Sequence, residues 1–99
     1  MYVTTSNMNE AERIADMLVR EKLAACVNII ENVKSVYRWK GIKKAKECLL
    51  IGKTKSTLAK EIITMIKKNH SYTNPCITFM PIIDGSKDYI DWIRKETKD

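Results

Sequence analysis

Residues 23–54 read LAACVNIIENVKSVYRWKGIKKAKECLLIGKT, two long strands meeting at one tight turn. Leu23 to Ile30 is an almost unbroken apolar run, the pattern of a strand buried on both faces. From Ser35 the pattern alternates: Ser35, Tyr37 and Trp39 share one face, and Val36, Arg38 and Lys40 share the other. Lys40-Gly41 supplies the turn, and Glu47 to Ile51 returns as a second apolar run ending in Lys53-Thr54. A hairpin of this length is more than a lone chain of 99 residues covers easily. Its aromatic, lysine-rich tip is therefore expected to reach a neighbouring subunit.

Upstream of the hairpin, Met1 to Thr5 reads as a short first strand. Asn7 followed three residues later by Glu10 resembles a capping box, so a helix is expected to start there. Met8, Ala11, Ile14, Ala15, Leu18 and Val19 mark its core face, with the stem of Lys22 at its end. Glu10, Glu12, Arg13, Asp16 and Arg20 are expected to occupy the other face. Downstream, Thr54 or Ser56 is the expected cap of a second helix whose stripe is Leu58, Ala59, Ile62, Ile63 and Ile66. Lys67 and Lys68 fall in its last turn, where positive charge suits the helix dipole.

A polar loop, Asn69 to Pro75, leads into an expected strand from Cys76 to Ile83, placed at a sheet edge because Pro81 cannot donate to a ladder. Asp84-Gly85 turns the chain, and Ser86 is expected to cap a final helix with Tyr89, Ile90, Ile93 and Thr97 inward. Trp92 falls off that stripe and is a candidate for subunit contact. The predicted order is β-α-β-β-α-β-α. This is an α+β chain whose first six elements form the split β-α-β, ferredoxin-like arrangement with a long central hairpin. A single domain over residues 1–99 is expected.

The net charge is +6 and unevenly placed: residues 42–69 hold eight Lys and two Asp/Glu, whereas the segments on either side nearly balance. No run approaches the ~20 apolar residues of a membrane span, and the N-terminal pattern is not that of a signal peptide. Neither a membrane nor a leader is expected, and the cytoplasm is the expected location. Cys26, Cys48 and Cys76 are odd in number and widely spaced, which suits buried reduced thiols better than a disulfide framework.

Chemistry is sparse. One histidine and no Cys-x-x-Cys argue against a closed four-ligand zinc site within one chain. Thr4-Thr5-Ser6-Asn7 stands where small copper carriers of this topology place a Cys-x-x-Cys loop, and it offers no soft ligand. His70, with the Cys76 thiol six residues on, forms a partial soft site. Glu47 stands in an otherwise apolar strand, which favours a structural ion pair over a catalytic acid. No nucleophile elbow, phosphate loop or H-E-x-x-H helix is present, so no enzyme is expected. Residues 46–53 lack the stacking aromatics of an RNA-recognition strand, so nucleic acid is not expected as a partner.

Five ordered motifs resemble the CutA1 divalent-cation tolerance family across essentially the whole chain. They are L-A-A-C-V-N at 23–28, S-x-Y-x-W-x-G at 35–41, E-x-L-L-x-x-K-T at 47–54, H-x-Y-x-x-P at 70–75 and G-x-x-x-Y-x-x-W at 85–92. The resemblance implies a homotrimer of ferredoxin-like subunits with Tyr37, Trp39 and Trp92 at the interfaces. It also implies that Glu47, Lys53, His70 and Tyr72 meet in a cleft between subunits. Copper or another divalent metal ion is the implied ligand, needed for no folding step and without turnover, with His70 as the ligand the resemblance carries over and Cys76, a departure from the family pattern, as a second. Cys76 stands where bacterial relatives often carry a carboxylate, Val3 where they carry a thiol, and Glu31-Asn32-Val33 where a proline is usual. A thiol at residue 76 favours Cu(I) over Zn(II). The alternative is a trimeric signalling protein resembling the PII proteins, taking a small anionic ligand. A third reading is a structural trimer whose clefts are merely packed.

Overall fold

A computed structural model describes residues 1–99. The strands are β1 (Tyr2–Thr5), β2 (Cys26–Arg38), β3 (Ile42–Lys53) and β4 (Ile77–Thr78); the helices are α1 (Met8–Arg20), α2 (Ala59–Asn69) and α3 (Lys87–Glu96). A 3₁₀ turn, Ser56–Leu58, leads into α2. The strands form one antiparallel sheet in the order β2-β3-β1-β4. The chain is thus mixed α+β, and no helix is long and apolar enough to cross a membrane.

The core lies between the helices and one sheet face. Val3 and Leu50 from the sheet meet Ile14 and Leu18 of α1, Leu23, and Ile62 and Ile66 of α2, all fully buried. Gly52 lies where Met1 crosses β3; a Cβ there would meet the Met1 methyl at 2.5 Å. The hairpin closes through Lys40 and Gly41, both at positive φ (54° and 98°), which brings Arg38 opposite Ile42. At Glu31-Asn32 β2 carries an extra residue relative to β3, with Asn32 at φ 61°, a bulge.

Helix α1 begins as expected: the Asn7 side chain accepts from Glu10 N–H at 2.8 Å. It ends in a Schellman motif, Leu23 N–H donating to Leu18 O and Lys22 N–H to Val19 O. Lys22 takes the left-handed position usually held by glycine, φ 57°, and its side chain is exposed rather than a buried stem.

Several other expectations are corrected. Residues 23–30 are not buried on both faces, because the helices cover only the sheet face that carries Leu50, and Ile30, on the other face opposite Leu49, is left 44% exposed. The strand expected over residues 76–83 pairs only at Ile77–Thr78, because Thr78 already stands opposite Tyr2 and β1 offers no further partner. Neither Thr54 nor Ser56 caps α2; the Thr54 hydroxyl donates to Leu23 O instead. Ser86 precedes α3 without a side-chain cap bond. Val19 and Tyr89 are exposed. Of the three free thiols only Cys48 is buried; Cys26 is half-buried and Cys76 exposed.

Candidate functional site

Three elements converge at the end of the sheet where β1 hands over to α1: the C-terminus of β1, the first turn of α1 and the loop after α2. Glu10, expected on the charged face, is buried there. Its Oε1 accepts from Ser6 N–H at 3.0 Å and from the Ser6 hydroxyl at 3.1 Å. Its Oε2 accepts from Ser71 N–H at 2.8 Å. Burial works against this carboxylate, yet the hydrogen bonds from Ser6 and Ser71 outweigh it and hold the group at about 2.

His70 follows α2 and is fully enclosed, its side chain 0% exposed. Its Nδ1 accepts from Tyr72 N–H at 3.0 Å. The ring proton therefore resides on Nε2, which donates to Thr4 O at 2.8 Å. Glu10 Oε1 lies 3.9 Å from Nδ1. The Tyr72 ring tilts against the imidazole at a centroid distance of 4.8 Å, and its hydroxyl donates to Glu47 Oε2 at 2.9 Å. Burial, followed by that bond to a carboxylate, pushes the Tyr72 phenol up from its usual range.

Glu47, His70 and Tyr72 are thus brought together within one chain, with Glu10 as a fourth member that charge patterning alone places in solvent. The only sequence signal for it is the capping box itself. Lys53 is not brought to this group. It lies six residues along β3, about 20 Å away in an extended strand, where its ammonium donates to Asn28 Oδ1 and lies 3.9 Å from Cys26 Sγ. Tyr37, Trp39 and Trp92 are all exposed. Trp92 stacks obliquely on Tyr89 at 5.4 Å.

As a metal centre, the chain by itself does not fit. Both nitrogens of His70 and both oxygens of Glu10 are already hydrogen-bonded, and no three His, Cys, Asp or Glu side chains gather into a site. Cys76 is accessible but is a lone thiol. What the arrangement does is tie β1, α1, β3 and the 70–75 loop together.

A profile of the CutA1 divalent ion tolerance protein family matches residues 1–96. The divalent-cation tolerance protein CutA of Archaeoglobus fulgidus is 47% identical over 94 residues, covering 94% of this chain and 91% of that protein. A solved divalent cation tolerance protein (Cut A1) from Thermus thermophilus superposes with a TM-score of 0.96 at 39% identity, over 98% of this chain and 95% of that one. A structure from Archaeoglobus fulgidus, described as a periplasmic divalent cation tolerance protein CutA, gives a TM-score of 0.95 at 45% identity, covering 98% and 95%. The chain spans about half the length of the chloroplastic plant proteins it matches, 54% and 56%. Motifs, topology and these likenesses agree over the whole length, and the chain belongs to the CutA1 divalent ion tolerance protein family.

Proposed function

We propose that this chain is the ferredoxin-like subunit of a homotrimer that serves tolerance to divalent cations by holding copper or another heavy-metal ion at clefts between subunits, without turnover. Family membership over residues 1–96 is the observation that carries this reading. It also favours metal handling over a PII-like role.

Assembly has support of its own. The 13-residue β2 has a free edge, and the segment Phe79–Ile83 beyond β4 finds no strand partner within the chain. Along it Met80, Ile82 and Ile83 are 61%, 51% and 93% exposed. Unpaired backbone and apolar side chains of this extent call for a partner strand, and a second copy supplies one. Tyr37, Trp39 and Trp92 then become interface residues. Glu47 Oε1, which no hydrogen bond within the chain uses, is free to accept from Lys53 of a neighbouring copy.

In such a cleft Cys76 is the accessible soft ligand. His70 ligates only by giving up Thr4 or Tyr72, so it is the weaker of the two ligands, and Tyr72 and Glu47 position the loop that carries them both. Three unpaired thiols suit a reducing compartment, and the cytoplasm is the location we assign.

The test is native mass spectrometry of the reduced protein with and without one copper ion per chain. A trimer carrying three ions, reduced to none by Cys76→Ser, is expected. A trimer that takes up no copper overturns direct binding, and a monomer overturns the assembly.

A further inference from the structure

The hairpin continues past the rest of the sheet. β1 ends opposite β3 at Thr5–Cys48, whereas β2 and β3 stay paired from Val33–Glu47 out to Arg38–Ile42. Residues 33–47 therefore form a two-stranded arm. Residues 34–46 carry six cations, Lys34, Arg38, Lys40, Lys43, Lys44 and Lys46, and no carboxylate. All six are exposed. None takes part in an ion pair, although charges elsewhere in the chain form six.

The register sorts these charges by face. Lys34 stands directly opposite Lys46, Val36 opposite Lys44, and Arg38 opposite Ile42. Alternation along β3 puts Lys44 and Lys46 on the face that, further down, carries the buried Cys48 and Leu50. Tyr37 and Lys43 point to the other face. Four cations thus crowd one side of the arm just beyond the helices, while the side bearing Tyr37 remains for subunit contact. Like charges directly opposite one another are destabilising, and nothing in the chain offsets them. Within the chain these cations meet no opposite charge, and the closely spaced phosphates of a nucleic-acid backbone are a complement of the right sign and density.

We propose that this face of the arm binds the phosphate backbone of nucleic acid without reading its sequence. A two-stranded ribbon is an element that the major groove of a duplex admits. Lys44 and Lys46 are separated by about 6.8 Å along the strand, a step suited to successive phosphates. Of the four cations three are lysines, which suit point contacts to phosphate rather than the bidentate reading of a base edge. The absence of stacking aromatics on residues 46–53, which argued against an RNA-recognition module, is no obstacle to backbone binding. The proposal is independent of the metal reading.

Fluorescence anisotropy of the intact protein with a labelled duplex of arbitrary sequence, about 20 base pairs long, tests it across a salt series. With four phosphate contacts, affinity should fall with salt at a log–log slope of about −4. Lys34→Ala/Lys46→Ala should bring the slope to about −2. Lys60→Ala/Lys67→Ala on α2 should leave affinity and slope unchanged. Absence of salt-dependent binding overturns the proposal, as does an equal loss in the α2 variant, which would mean diffuse attraction only. An acidic peptide displacing the duplex at equal charge assigns the face to a protein partner instead. A lower assembly mass for Lys34→Ala/Lys46→Ala, read by native mass spectrometry, makes it a subunit contact.

Discussion

The Tyr72 hydroxyl donates to Glu47 Oε2 at 2.9 Å, the one hydrogen bond that this carboxylate, only 8% exposed, receives within the chain. The bond joins β3 to the loop after α2, two segments that no sheet ladder connects. Tyr72→Phe leaves the carboxylate buried without its donor, which should cost about 1–3 kcal/mol. Urea denaturation at neutral pH checks this, and the double variant Tyr72→Phe/Glu47→Leu should lose less than the sum of its parts.

Glu10 makes stability depend on acid. Its folded value of about 2 lies below the ordinary 4.5, so the unfolded chain takes up the proton first as pH falls. The contribution is complete above pH 4.5 and is lost as pH drops through 2. It is on the order of 3 kcal/mol. Glu10→Gln should be less stable than the parent at pH 7 and show a flatter stability profile below pH 5, measured at fixed protein concentration because assembly shifts apparent stability.

Lys22 holds the left-handed position of the Schellman motif at φ 57°. A residue with a Cβ there carries a penalty of about 1 kcal/mol that glycine avoids, partly offset by the freer unfolded chain. Lys22→Gly should therefore stabilise the protein by up to about 0.5 kcal/mol. Thermal melts of the two proteins at equal concentration decide the sign.

Leu50 is fully buried at the centre of the core, between β1 and the helices. Leu50→Ala should cost about 2–5 kcal/mol through lost burial and the cavity left behind. Leu49→Ala, one residue along on the opposite and partly exposed face, should cost clearly less. Chemical denaturation of both variants measures the difference, and equal losses would mean that the face of Leu49 is covered as well.

The periodicity of residues 8–20 and 58–66, the alternation from Ser35 and the turn at Lys40-Gly41 follow from side-chain size and polarity repeating at helical or strand spacing, so the elements and their order were legible in the chain. The family resemblance grouped Glu47, Lys53, His70 and Tyr72 between subunits, and within one chain only Glu47, His70 and Tyr72 meet. Burial of Glu10 was not legible. A glutamate three residues after an N-cap looks the same whether water or a loop 61 residues away solvates it, and only the arrival of Ser71 N–H decides which.

The same holds for the edges. Residues 23–30 and 76–83 have compositions suited to full burial, but how much of each is paired depends on where β1 ends and which strands lie beside it. The spent nitrogens of His70 are a third instance, since a histidine's tautomer and availability are set by the groups packed around it and not by its neighbours in the chain. Sequence by itself determined the helices, strands and family of this protein, because those rest on local pattern. Tertiary structure alone decided which charges are buried, which donors remain free and which edges stay open, because those depend on contacts between residues far apart in the chain.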